Sequence, residues 1–306
     1  MQIMKRKTLY CRVTLRHWMV VLAAGAAGLL PLAAHDGEPF RASVGVGYRA
    51  DADIDKHGGD FNETRVSVTA SRGFNPNEKL RIEPILTYRF SAYDFSRPEP
   101  WDDIHSFRAT VMARYLIDEK WAVFAGPSVG FTGEAGADVA DAITFGGALG
   151  ASYRFSERLT IGAGFTISSE IEDDALILPL AILNWQINDQ WSIEGGYMEA
   201  AGAAGPGGEV VYKINEAIAV GGGLQYHQKR FRLSDDARVS EGVGEDSSWP
   251  LYAKVTWQVS PQAAIELVGG VSVAGELRME DRNGHKISKA DYDPAPLIGL
   301  RALFTF

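Results

Sequence analysis

The sequence predicts an all-β protein, a transmembrane antiparallel up-and-down β-barrel of about 14 strands, with 12 as the alternative, short periplasmic turns and long extracellular loops. Three observations predict it. An export leader is followed by no further apolar run long enough for a membrane helix. Six short polar turns recur between segments that alternate apolar and small or polar residues. Aromatic residues gather at both ends of those segments around an aliphatic middle.

Residues 1–34, MQIMKRKTLYCRVTLRHWMVVLAAGAAGLLPLAA, open with Lys5, Arg6, Lys7, Arg12 and Arg16, pass through an apolar stretch from Trp18 to Leu30 and end on Ala33 and Ala34. This is the layout of a secretory signal peptide, with cleavage expected after Ala34 and residues 35–306 left as one barrel domain. A retained helix is the competing reading, but the stretch is short for a span of roughly 20 residues. The single cysteine, Cys11, falls in the leader, so disulfides, zinc-thiolate sites and thiol catalysis are excluded from the mature chain. Without the leader's five basic residues, 25 Lys and Arg face 39 Asp and Glu, a formal charge of −14. An acidic soluble protein fits such totals as well as a barrel does, so periodicity has to decide.

The turns lie in RGFNPNEKLRI, RYLIDEKWAV, YRFSERLTI, NWQINDQWSI, YKINEAIAV and TWQVSPQAAI, beginning near Asn75, Asp118, Ser156, Asn188, Asn215 and Ser260. Their spacing suits two strands and a longer loop per repeat. The loops are read as 50–61, 94–104, 133–140, 170–175, 200–208, 232–248 and 280–293, rich in Asp, Glu, Gly and Ser. Seven loops on one side and six turns on the other join fourteen strands. The fifth hairpin is the weak one, because EVVYKI is short and AAGAAGPGGE before it is glycine-rich; without it twelve strands remain.

Within the strands one face is oily throughout. In LTIGAGFTI, Leu159, Ile161, Ala163, Phe165 and Ile167 oppose Thr160, Gly162, Gly164 and Thr166, and WPLYAKVTWQV sets Trp249, Leu251, Val255 and Trp257 against Tyr252, Lys254 and Thr256. A soluble sandwich alternates in the same way, and a seven-bladed propeller would need four strands per repeat. Aromatic position separates them. Phe74, Tyr115, Trp121, Phe155, Trp185, Trp191 and Trp257 sit beside the turns, and Tyr48, Phe107, Phe145, Tyr197, Tyr226 and Trp249 near the loops. A bilayer asks for two such belts, whereas a sandwich core places its rings centrally.

The last segment, LIGLRALFTF, reads as the final wall strand, pairing with the strand near Arg41 to Tyr48. Its Phe304 and Phe306 resemble the C-terminal signal recognised by the barrel assembly machinery, which implies that machinery and outer-membrane lipid as partners and the outer membrane of a Gram-negative bacterium as location. GASYRFSERLTIGAGFTISSEIEDDALILPLAILNWQINDQWSIEGG is similar to a family of uncharacterised, porin-like outer-membrane barrels, a likeness that implies location and fold and not activity.

Strand parity assigns Arg41, Arg49, Arg65, Arg81, Arg89, Arg108, Arg114, Arg154, Lys213, Lys254 and Arg301 to the lumen, against Glu83, Glu194 and Glu266. The expectation is a basic-lined passive diffusion pore for small hydrophilic, anionic solutes. The alternative is a plugged or structural barrel that binds a ligand or partner through its acidic loops, the inward charges simply pairing across strands. Neither cofactor nor metal is implied: Glu170, Glu172, Asp173 and Asp174 could gather divalent cations, but a solvated acidic surface accounts for them better. As an enzyme the chain offers only Asp102, Asp103 and His105 for a protease, or His105 and Ser106 for a lipid-modifying enzyme, and parity sends the last two to opposite faces. No exposed basic patch or phosphate loop suggests nucleic acid.

Overall fold

The computed structural model describes residues 39–55, 58–97 and 100–306; the expected leader lies outside the described residues. Fourteen strands form the wall: β1 Phe40–Asp53, β2 Asp60–Arg72 continued by Phe74–Asn77, β3 Leu80–Phe95, β4 Ile104–Leu116, β5 Trp121–Glu134, β6 Ile143–Ser156, β7 Leu159–Glu170, β8 Asp173–Gln186, β9 Trp191–Ala200, β10 Ala203–Lys213, β11 Ile218–Gln225 continued by His227–Arg232, β12 Val243–Ser260, β13 Ala263–Glu280, and β14 Lys286–Tyr292 continued by Ala295–Thr305. Successive strands are antiparallel neighbours, and β14 returns to β1 with Arg41 opposite Thr305 and Arg49 opposite Leu297, so the sheet closes. Closure leaves no edge along that seam, where Phe306 and Phe40 also exchange backbone hydrogen bonds of 2.9 and 3.2 Å.

The turn residues explain themselves chemically. Side-chain oxygens of Asn77, Asp118, Asn188 and Asn215 each accept backbone N–H groups two and three residues ahead, at 2.7–3.0 Å. Ser156 and Ser260 hold the residue two ahead at 3.2 Å. These local bonds replace ladder bonds and reverse the chain. The first turn is thus made by Asn77 rather than Asn75.

The loops are shorter than the composition suggested, because strands continue past the membrane. Residues 200–208, read as a loop, are strand except for the tip at Ala201 and Gly202, and 286–292 pairs with β13. Charged, hydrogen-bonding side chains stabilise strand as well as loop once they stand in water, so polarity alone marked the end of the bilayer and not the end of the sheet.

Outside, the aliphatic band is present as Val46, Leu86, Val111, Val129, Leu149, Ile161, Leu251, Val255, Leu267 and Leu300, all exposed. Its periplasmic margin carries ring pairs such as Trp121–Tyr153 (4.9 Å) and Trp191–Tyr212 (4.7 Å), and Tyr226–Trp249 (5.1 Å) marks the other. Large apolar side chains left uncovered around a closed barrel are what lipid covers.

Candidate functional site

The interior is stratified. At the extracellular mouth Phe61, Phe95, Trp101, Ile104, Phe231, Leu233, Leu277 and Met279 form one buried cluster. Phe61 stacks on Phe95 at 5.2 Å, and Trp101 meets Phe231 edge-on at 5.1 Å. Phe61, Phe231 and Leu233 have no exposed surface, although a water-filled mouth would wet them. Side chains therefore close it.

Beneath lies a buried ionic layer. Arg49 reaches Glu63 and Asp246, both at 2.9 Å, and Arg65 reaches Glu63 at 2.6 Å. Lys229 bridges from β11 to β2 and β3, donating to Glu63 (2.7 Å), Ser91 (2.6 Å) and Tyr93 (2.8 Å). The Tyr93 and Tyr292 hydroxyls donate to Asp246 at 2.8 and 3.0 Å. Charges withdrawn from water this completely persist only when paired, and each of these has an opposite charge within 3 Å, although the Nε atoms of Arg49 and Arg65 are buried without a hydrogen-bond partner.

Below this layer the hairpin β9–β10 leaves the wall. It pairs with β8 only from Ser192 opposite Gln186 to Gly195 opposite Leu183. Glycines then face glycines across the hairpin, Gly195 to Gly208 and Gly196 to Gly207, with Tyr197 opposite Pro206. Gly196 has φ +153, which the missing Cβ permits, and the strand bends inward there. The tip at Ala201 (φ 49) and Gly202 (φ 74) rests in the lumen against Gly47 and Gly299. A Cβ on Gly299 would stand 2.6 Å from the Ala201 Cα, so the seat exists because that wall position has no side chain. Glu199, just before the tip, faces Arg301 at 3.6 Å and Arg89 at 3.8 Å. The fifth hairpin is wall at its base and plug at its tip.

The residues assigned to the lumen by parity are placed as follows. Arg41 pairs with Glu83 (3.1 Å), Arg81 with Glu83 (3.4 Å), Lys254 with Glu209 (2.8 Å) and Glu266 (3.6 Å), and Arg301 with Glu266 (2.6 Å). Arg108 donates to Ser128 at 3.4 Å; Arg114 and Arg154 occupy inward rows of β4 and β6, opposite Phe124 and Thr160. Glu194 and Lys213 line a vestibule of about 350 Å³ at the periplasmic end, together with Asn184, Gln186, Thr256 and Gln258.

The basic excess is smaller than parity suggested, because Glu63, Glu134, Glu199, Glu209 and Asp246 also point inward, against one further base, Lys229. Glu63 and Glu209 share parity with Arg65 and Lys213 and were legible. Asp246 lay in a segment read as loop, and Glu199 lies beyond the Gly196 bend, where parity counted from the strand base fails.

The face of β6, β7 and β8 differs from the rest of the lumen. Its inward rows run Ser152–Gly162–Ile182, Gly150–Gly164–Leu180 and Ala148–Thr166–Leu178. From Ser152 to Ser168 and Leu176 these rows carry no charged side chain.

In the acidic group at the β7–β8 loop Glu172, Asp173 and Asp174 are exposed, as a solvated surface requires, while Glu170 is partly buried, and three of the four also reach arginines. Glu170 and Asp173 face Arg230 at 3.9 and 4.0 Å, and Glu172 meets Arg232 at 2.5 Å. His105 and Ser106 do take opposite faces: Tyr88 lies 2.9 Å from the His105 Nδ1 outside, and Thr132 lies 3.1 Å from the Ser106 hydroxyl inside.

A closed antiparallel barrel with a lipid-facing apolar band and a charged, partly filled lumen is an outer-membrane β-barrel of a Gram-negative bacterium. The chain belongs to the family described as outer membrane protein beta-barrel domain, whose model matches residues 19–188. Among curated proteins there is no match. Similar solved structures include an outer membrane channel from Pseudomonas putida F1 (12% identity, 90% of this chain and 97% of that chain, TM-score 0.47). They also include a Pseudomonas aeruginosa FadL homologue (12%, 87% and 90%, 0.45) and the P. putida toluene transporter TodX (12%, 89% and 90%, 0.44). At these identities and scores they bear on neither substrate nor mechanism.

Proposed function

We propose that the protein is an outer-membrane channel for small solutes that rests closed, the tip of its own β9–β10 hairpin serving as the stopper. The observation that carries this is the seating of Ala201 on Gly47 and Gly299, with Glu199 set between Arg89 and Arg301. A loop lodged by close backbone approach and two ion pairs is a specific closure, and its glycine hinge gives it a way out. The vestibule is already open to the periplasm, and Arg41, Arg81, Arg108, Arg114 and Arg154 would give an opened lumen an anion preference. An always-open pore is disfavoured by the dry mouth and the ionic layer, which also support the reading of a permanently plugged barrel.

The test is conductance of the refolded protein in a planar bilayer. The wild type is expected to be nearly silent. Replacing Met198–Gly205 by Asn-Gly, a tight turn between the paired Tyr197 and Pro206, should give stepwise, anion-preferring currents. Neutralising Arg81, Arg89 and Arg108 in that background should weaken the preference. Silence of the shortened variant, in barrels folded by heat-modifiable gel mobility, would leave the plugged-barrel reading.

A further inference from the structure

The inward bend of the hairpin has a second effect, in the wall it leaves. Strand β8 continues from Ile182 to Asp173, about 30 Å of chain, with no strand on its β9 side among the described residues. We propose that this gap is a lateral window through which small uncharged apolar molecules pass between the outer leaflet and the lumen. The proposal rests on the reading that the hairpin tip resides inside.

The window is bounded on every side. Its floor is the four-residue pairing from Ser192 to Gly195. Its lintel is Arg230 of β11, which donates to the Ile171 carbonyl at 2.9 Å and faces Glu170 and Asp173, with Arg232 holding Glu172 beside it. One jamb is the bare edge of β8 and the other the bent hairpin. Ile161, Ile167 and Ile177 are exposed on the outer face of these same strands, so the opening lies within the hydrocarbon band.

An open edge facing lipid leaves backbone groups unsatisfied, and barrels do not tolerate one unless it lines a cavity. The sequence weakens this edge for a returning strand. Gln186 donates its N–H to Arg158 of the β7 side, so by the alternation of an antiparallel strand the N–H positions of Trp185, Leu183, Ala181 and residue 179 face the other way. Residue 179 is proline, which has no N–H for a returning strand or for a partner's strand to use. If the register continued, Glu199 would fall opposite Pro179, on the lipid face; bent inward it meets two arginines instead. Glu199 holds the hairpin in, and Pro179 leaves the edge without a donor at the position that Glu199 would have faced.

The chemistry behind the window sets the class of passenger. Elsewhere the lumen is charged, but the rows reached first are Leu178, Leu180, Gly162 and Gly164, free of charge and small enough to leave room. A neutral apolar molecule dissolved in the bilayer meets no desolvation barrier there, whereas an ion would cross lipid to reach it. From these rows the inner face leads down to Asn184 and Gln186 of the vestibule.

The probe is trifluoromethyl phenyl diazirine, an uncharged photolabel, added to phosphatidylcholine proteoliposomes of the full protein and mapped by mass spectrometry. Wild type should carry label on the inward residues Thr166, Leu178 and Leu180 as well as on the outward Ile161 and Ile177. An Ala181→Cys, Tyr197→Cys pair, oxidised, joins the two jambs; inward labelling should fall at least fivefold, outward labelling should hold, and reductant should restore the first. Leu180→Arg, which needs no cross-link, should reduce labelling of Thr166 in a folded barrel by a similar factor. Inward residues unlabelled in the wild type, or labelled equally in the closed and Leu180→Arg forms, would overturn the proposal. Label confined to the edges of the gap would mark a docking edge for another strand and overturn it too. Silent conductance of the tip-shortened variant would remove the stopper reading without touching these outcomes.

Discussion

Gly299→Val tests the stopper at its seat. Gly299 lies on β14, where a β-branched residue suits the strand, and its missing side chain points at the tip. A Cβ there would approach the Ala201 Cα to 2.6 Å and its Cβ to 2.9 Å, and valine adds two methyl groups beyond. Overpacking of this kind costs about 2 kcal/mol where the neighbours cannot yield. The neighbour that can yield is the hairpin, so the two closest contacts fall on the closed state, while a 3.2 Å approach to the Val46 carbonyl is common to both states. At about 1.4 kcal/mol per decade, the released fraction should rise roughly thirtyfold. Single-channel open probability in a planar bilayer reads that fraction directly. Gly269→Val is the matched control, since a Cβ at Gly269 meets nothing within 4 Å, and it should leave the recording as it was. An open probability for Gly299→Val within twofold of wild type, in a barrel with normal heat-modifiable mobility, would refute the claim that release of the tip is what opens the channel.

Three further outcomes follow from the geometry. Asp246→Asn removes the carboxylate shared by Arg49, Tyr93 and Tyr292, and leaving Arg49 short of a partner in a dry site should cost about 3 kcal/mol, seen as a lower midpoint of urea unfolding in detergent. Deleting Phe306 removes its two backbone bonds to Phe40 and the ring contacts with Phe40 (6.1 Å) and Phe304 (6.3 Å), and should impair insertion, measured by the amount of folded barrel in outer membranes, more than it alters conductance. The carboxyl of Asp281 is held below its ordinary value by the N–H groups of His285 and Asn283 that it accepts. Its contribution to the 281–285 loop is therefore complete above the unfolded value of about 4 and lost as pH falls through the lower folded one, so amide exchange in that loop should quicken only below about pH 4.

The wall was legible because its signals are local and repeated. Alternation in LTIGAGFTI fixes which side of β7 meets lipid, and Asn188 or Asn215 makes its turn with atoms two and three residues away. The plug was not legible, because nothing local says that a glycine-rich hairpin bends inward. That depends on Gly47 and Gly299 offering an empty seat from strands far away in the chain. The ionic layer failed for a different reason. Asp246 stands on strand that extends beyond the bilayer, where its polarity looks like loop, and Lys229 lies past the break between Gln225 and His227 in β11. In ALILPLAIL the clue was present: both faces of β8 are apolar, which a strand between lipid and a charged pore has no reason to be.

Gly47 and Gly299 are not merely near each other; they are directly opposite partners in the pairing of the first strand with the last. The hollow that receives Ala201 therefore has one half on each side of the seam and is complete only when the two ends of the chain have met. An open, partly threaded sheet offers the tip nowhere to sit. Docking of the hairpin is in this sense a receipt for closure, issued after the final strand is in place, and a barrel that stalls before that point stays unstoppered however well its other strands have paired.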